Sequence, residues 1–165
     1  MKMKKILITG AEGFIGSHLT EELLSCGYKV RAFVLYNSFN SIGWLKHIKS
    51  NKNLEIYFGD IRDSENISNA INGCDQVVNL AALISIPYSF ESSKLYVDTN
   101  IYGTLNILNA AKKKKLEKII ITSTSEVFGN CKKSPMDETH PINSQSPYAA
   151  SKASADQLAK SFHSS

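Results

Sequence analysis

Near the start of the chain, the run Ile6-Leu7-Ile8-Thr9-Gly10-Ala11-Glu12-Gly13-Phe14-Ile15-Gly16 joins an apolar strand to a helix through three glycines set three residues apart. That arrangement suits the seat of a dinucleotide. Gly10 permits a tight turn off the strand, Gly13 lets a pyrophosphate approach the backbone with no Cβ in the way, and Gly16 lets the helix pack closely. The phosphates would sit on the helix N-terminus, with Phe14 and Ile15 supplying backbone N–H groups where the dipole favours negative charge. The context supports this reading. Residues 4–8 read as a buried strand, while Phe14, Ile15, Leu19, Leu23 and Leu24 recur at helical spacing before Gly27 ends the helix.

The rest of the chain alternates in the same way. Apolar strands are expected at 29–35, 54–58, 76–80 and 118–122, with helical patterns at 64–71 and 97–111 and a last helix starting near Ser146. Continuous apolar strands joined by crossover helices predict an α/β fold, a doubly wound Rossmann-type parallel sheet with helices on both faces and ligands at the carboxyl ends of the strands. Residues 37–53 are polar and irregular, so a loop is expected there, with at most a short helix around Trp44 and with Phe39 and Trp44 packing on the sheet. A chain of 165 residues suffices for one such NAD(P)-binding domain, residues 1–165.

Composition excludes several classes of function. The net charge is +4, but the only lysine run, Lys112 to Lys115, has no interleaved aromatics and reads as the solvated end of a helix, so no nucleic-acid partner is expected. Cys26, Cys74 and Cys131 lie far apart, without metal or redox spacing, and suggest a reducing, cytoplasmic setting with no metal. No apolar stretch reaches the length of a membrane span, and none resembles a signal segment.

The remaining signals fall at strand ends. Asp60-Ile61 offers a carboxylate and a backbone N–H to an adenine edge, or is simply a turn after Gly59. Ala81-Ala82 leave room for a ligand, or for a tightly packed helix. Asn100, early in a helix, suits a bond to backbone or water. Thr122-Ser123-Thr124-Ser125-Glu126 ends the fifth strand, and Tyr148 with Lys152 follow at a spacing of four, on one helical face. An ammonium beside a phenol favours the phenolate, which general-base catalysis needs. The pair alone has little specificity in a chain with seven tyrosines; joined to the hydroxyl cluster in a dinucleotide fold, it gains weight.

Over its whole length the chain resembles the extended short-chain dehydrogenase/reductases, the nucleotide-sugar epimerases and dehydratases. The matching residues are Thr9 to Gly16, Gly59-Asp60-Ile61, Leu80-Ala81-Ala82, Asn100 with Gly103-Thr104, Ser123 to Gly129, and Tyr148 with Lys152. The resemblance implies that Tyr148 is the base on the sugar 4-hydroxyl, that Thr124 bonds the same oxygen, that Lys152 also holds the nicotinamide ribose, and that hydride leaves sugar C4 for the oxidised nicotinamide. It further implies cofactor contacts at Gly10, Gly13, Phe14, Ile15, Gly16, Tyr36, Asn37, Asp60, Ile61, Leu80, Ala81, Ala82 and Asn100. A homodimer through the Asn100 and Tyr148 helices is also implied.

Hexose 4,6-dehydratases of the family carry Asp-Glu after the threonine, where this chain has Ser125-Glu126. Glu126 suits a C5 base, but Ser125 is a poor general acid. The same Thr-Ser-Glu string is similar to that of UDP-glucuronate decarboxylases, and a 4-epimerase needs no Glu126, so these residues fit more than one outcome. The stretches from Tyr36 to Leu45 and from Ala82 to Ser89 resemble the dehydratases acting on UDP- or GDP-linked N-acetylglucosamine in legionaminic-acid synthesis, which makes that 4,6-dehydratase the expected activity. A non-catalytic NAD(P) sensor or scaffold is the competing class. Tyr36-Asn37 stands where NAD-preferring relatives usually place an acid, so the expected cofactor is NAD, with NADP possible. Relatives continue for roughly as many residues again, so the chain is expected to be truncated before a C-terminal substrate-binding part and, alone, to turn over weakly or not at all.

Overall fold

The computed structural model describes residues 3–164. They form two compact units, one of residues 3–81 with Asn106–Thr122 and one of Ala82–Leu105 with residues 123–164.

The first unit is built on five parallel strands, β1 (Lys5–Thr9), β2 (Lys29–Leu35), β3 (Leu54–Gly59), β4 (Gln76–Asn79) and β5 (Lys118–Ile121), in the order β3-β2-β1-β4-β5. Strand order therefore reverses between β1 and β4. Successive side chains of a strand point to opposite faces, and here both faces are apolar. Leu7, Phe33 and Val77 pack with Ile67, Ala70 and Ile71 of helix α2 (Ser64–Ile71) and with Ile107, Ala110 and Ala111 of helix α5 (Gly103–Lys114). Ile6, Ile8, Val30, Ala32, Val34 and Val78 pack instead with Leu24 of helix α1 (Phe14–Ser25) and with Leu45, in a 3-10 turn at Gly43–His47. Helices thus cover both faces, as the alternation of elements predicts.

Local chemistry fixes the helix ends. Asp63 caps α2 by accepting from Glu65 and Asn66 N–H, and the Arg31 guanidinium closes the other end on the carbonyls of Ala70 and Asn72, at 2.6 and 2.8 Å. Lys112 to Lys115 are solvated at the end of α5, and Lys115 is in the left-handed region at φ 53°.

Two expectations about apolar residues are corrected. Phe39 is 90% and Trp44 63% exposed, so neither packs on the sheet; Leu45, fully buried, is the residue of that turn that does. At the head of α1, Phe14 and Ile15 stand 68% and 64% exposed, and the buried face is made by Gly16, Ser17, Thr20 and Leu24. The close approach that Gly16 permits brings the helix face of small residues inward and turns the two large ones out.

The second unit contains helix α3 (Ile86–Glu91), a single turn α4 (Ser93–Tyr96), a π-helical turn (Val97–Tyr102) leading into α5, a 3-10 turn (Ser125–Phe128) and helix α6 (Pro147–His163). The sequence pattern predicts one regular helix from 97 and no helix over 86–96. Ser85 caps α3 by accepting from Tyr88 N–H, with Pro87 in the first turn. Tyr96 is fully buried, donates to the Ser85 carbonyl at 2.6 Å and meets the rings of Tyr88 and Tyr148 edge-on, each at 6.3 Å between centroids. Ser146 caps α6 by accepting from Ala149 N–H, where the helix start is expected.

No helix among the described residues is long and apolar enough to cross a membrane.

Candidate functional site

In the first unit the loops leaving β1, β2, β3 and β4 gather at the carboxyl ends of the strands. At the reversal of strand order, Thr9, fully buried, donates to Asn79 Oδ1 at 2.6 Å and accepts the Ala81 N–H at 3.2 Å, tying β1 to β4. Gly10 turns at φ 66°, and a Cβ on it would fall 2.9 Å from the Ala81 nitrogen, so Leu80 and Ala81 run hard against the loop.

Gly13 is different. Its backbone, at φ −77° and ψ 176°, is open to any residue, and a Cβ there would meet only the Gly10 carbonyl, at an ordinary 3.4 Å. Folding does not require a glycine at this position; keeping the space above the helix clear does. Gly13 is also the N-cap of α1 and has no side chain to bond the first-turn amides, whereas α2, α3 and α6 are each capped by an Asp or Ser side chain. A bare helix start beneath a clear backbone fits the pyrophosphate of a dinucleotide.

The flanking residues are placed as follows. Tyr36 is 67% exposed, with its N–H on the Gly59 carbonyl. Asn37 spends its amide on its own loop, accepting from Phe39 and Ser41 N–H and donating to the Leu35 and Ser41 carbonyls. Asp60 is gripped by the Arg62 guanidinium, which holds its carboxyl below the usual carboxylate range. Ile61 is buried under it, and the Asn106 amide bonds the carbonyls of Ile61 and Arg62.

The second unit carries the hydroxyl, phenol and ammonium groups. Thr124 caps the 3-10 turn, its hydroxyl accepting the Glu126 N–H at 3.3 Å while retaining a proton to donate. Ser125 and Glu126 are exposed. On α6, Tyr148, Ala149, Ser151, Lys152 and Ala155 form one buried face, with Tyr148 8% and Lys152 6% exposed. Burial pulls the Lys152 ammonium below its ordinary value, opposed by the Asp156 carboxylate one turn on. Asp156 in turn accepts from the Ser123 hydroxyl.

Asn100, 2% exposed in the π-helical turn, accepts from Leu83 N–H at 2.9 Å and donates to the Leu83 carbonyl at 3.0 Å and to Ser151 Oγ at 2.9 Å. It therefore fixes the segment after Ala82 against the helix that bears Tyr148 and Lys152. Tyr96, Ser151 and Asp156 escape a sequence reading, because nothing in their spacing distinguishes them from ordinary helix residues. Ser85 followed by Pro87 is the one capping signal that marks α3 in advance.

A buried lysine carries its own prediction. Its depressed value means that the folded state bears the full penalty of the charge at neutral pH. That penalty is relieved as pH rises through the folded value and is gone above the ordinary 10.5. Lys152→Met, which keeps the length and removes the charge, is therefore expected to match or exceed wild type in thermal stability at pH 7, with the difference shrinking toward pH 10; thermal melts across that range check it.

A doubly wound parallel sheet with a bare glycine-loop helix start at its reversal defines a dinucleotide-binding unit of the Rossmann type. The family model for GDP-mannose 4,6 dehydratase matches residues 7–165, and the chain belongs to that family, within the epimerase/dehydratase branch of the short-chain dehydrogenase/reductases. It is 33% identical over 162 residues to a dTDP-glucose 4,6-dehydratase of Streptomyces antibioticus, covering 96% of this chain and 48% of that protein.

Among solved structures, a dTDP-glucose 4,6-dehydratase from Streptomyces venezuelae with NAD and TYD bound is similar at a TM-score of 0.88 and 30% identity, over 98% of this chain and 52% of that one. A UDP-N-acetylglucosamine 4-epimerase from Methanobrevibacter ruminantium in complex with UDP-N-acetylmuramic acid is similar at 0.89 and 34% identity, over the whole of this chain and 52% of that one. The chain thus spans about half the length of the relatives it matches.

Proposed function

We propose that the protein is a nucleotide-sugar 4,6-dehydratase acting on UDP- or GDP-linked N-acetylglucosamine with NAD as its resident cofactor. The observation that carries this reading is the burial of Tyr148 and Lys152 together on one face of α6. A phenol and an ammonium buried one helical turn apart, the ammonium with its proton affinity shifted by burial, are the kind of titratable pair that gathers at functional sites. Family membership supports the reaction class, and the NAD-bound Streptomyces venezuelae relative supports the cofactor.

In this reading Gly10, Gly13 and the α1 start hold the pyrophosphate, and Lys152 holds the nicotinamide ribose. Bound there, the nicotinamide supplies the hydride acceptor for sugar C4 and the donor for its return. Tyr148 removes the proton of the 4-hydroxyl, and Thr124 donates to the same oxygen. The 4-ketone so formed acidifies the C5 proton, which the exposed Glu126 carboxylate takes; a C5–C6 double bond forms as the C6–oxygen bond breaks, the departing oxygen taking its proton from a solvent water, so that one water is lost.

Ser125, a serine where an acid would assist that departure, favours a second reading, a 4-epimerase, which eliminates nothing. Incubation of the protein with UDP- and GDP-N-acetylglucosamine, followed by mass spectrometry, separates the two. Loss of one water is expected. An unchanged mass with an altered sugar NMR spectrum would establish the epimerase, and loss of carbon dioxide from UDP-glucuronate would establish a decarboxylase.

A further inference from the structure

Glu12 sits inside the glycine loop, yet its side chain serves the end of β2. Its Oε1 accepts the N–H of Leu35, the last residue of that strand, at 2.9 Å. Its carbonyl accepts the Trp44 N–H at 3.1 Å, and a Cβ on Gly43 would fall 2.4 Å from that carbonyl, so the 43–44 turn closes directly against it. The second carboxylate oxygen, Oε2, is buried with no hydrogen-bond partner among the described residues.

Tying a loop to one backbone N–H is work a glutamine amide oxygen does as well, without burying an unmatched negative charge. The charge itself therefore calls for a purpose. In dinucleotide-binding units the end of β2 is where an acidic residue meets the adenosine ribose and where a 2′-phosphate would lie. Here β2 runs out into Leu35-Tyr36-Asn37, with no acid, and the Asn37 amide is consumed within its own loop.

We infer that Glu12 sets the cofactor choice: its carboxylate, delivered to the end of β2 from the glycine loop, opposes the 2′-phosphate of NADP(H) and so selects NAD(H). The inference rests on the reading above that this unit holds a dinucleotide. Two charges facing one another across a few ångströms at a partly buried site act strongly without contact. Lys46 and Lys49, which line a hollow with Phe39 to Ile42, pull toward phosphate, and the carboxylate must outweigh them.

The test is calorimetric titration of the full chain and of E12Q with NAD+ and with NADP+, folding of the variant being checked by circular dichroism. Glutamine keeps the acceptor for Leu35 N–H. Wild type is expected to bind NAD+ about tenfold or more tightly than NADP+, and E12Q to lose that preference by gaining NADP+ affinity while its NAD+ affinity stays put. An unchanged ratio in E12Q, or a wild type that binds the two equally or prefers NADP+, would overturn the inference while leaving the dinucleotide reading intact. Should E12Q fail to fold, the wild-type ratio alone decides. Binding of neither nucleotide would bring down both readings together.

Discussion

Tyr148→Phe is expected to lower turnover by about 10²–10⁴-fold while leaving dinucleotide affinity within a factor of about two. The substitution deletes one oxygen and nothing else. The ring is 8% exposed and meets Tyr96 edge-on, a contact that phenylalanine keeps, so the fold of α6 has no reason to change. What disappears is the oxygen that, in the proposed reaction, takes the sugar proton. A sensor or scaffold built on the same fold would lose nothing measurable, because the glycine loop alone holds the nucleotide. Steady-state kinetics on the nucleotide sugar, set beside a cofactor titration of the same preparation, distinguish the two. Equal loss of affinity and rate would show that the phenol shapes the site and takes no part in the chemistry.

Gly16→Val is expected to leave no stable native state, a destabilisation above about 4 kcal/mol. A Cβ at Gly16 would lie 2.2 Å from the Gly10 oxygen and 2.7 Å from the Ala11 Cα, both backbone atoms. The loop has little room to step aside, since even a Cβ on Gly10 would lie 2.9 Å from the Ala81 nitrogen. Even Gly16→Ala, which gains about 1 kcal/mol of helix propensity, meets the same collision. Gly13→Ala is the informative partner. It meets no backbone closer than 3.4 Å, so its melting temperature should stay near wild type while dinucleotide affinity falls about tenfold or more. Denaturant titration and cofactor binding measured on both variants separate a glycine the fold needs from one only a ligand needs. A Gly13→Ala protein that binds as tightly as wild type would remove the main support for the dinucleotide.

The frame of the first unit was legible because its signals are local and periodic. Apolar strands such as β1 and β2, the spacing of Gly10 to Gly16 and the Ser146 cap each declare themselves within a few residues. Burial was harder to read. Phe14 and Ile15 match a helical stripe, yet the close packing at Gly16 rotates the helix so that small residues face inward, and hydrophobicity alone gives no hint of that. The segment 86–102 hides its helices for another reason: its turns are short and switch to π geometry, so no single period runs through them.

The candidate site residues divide along the same line. Thr124, Tyr148 and Lys152 were visible through spacing and family resemblance. Partners such as Asp156 for Ser123, Arg62 for Asp60 and Leu35 for Glu12 depend on which backbone or side-chain groups the fold brings together, and in the case of Glu12 the two residues are 23 positions apart.

The Thr9 hydroxyl, bridging Asn79 and the Ala81 amide, ties the end of β1 to the end of β4 and the residues just after it, at the reversal of the sheet. A seat assembled in advance asks little ordering entropy of an occupant, so a dinucleotide bound as proposed would meet backbone that is already in place.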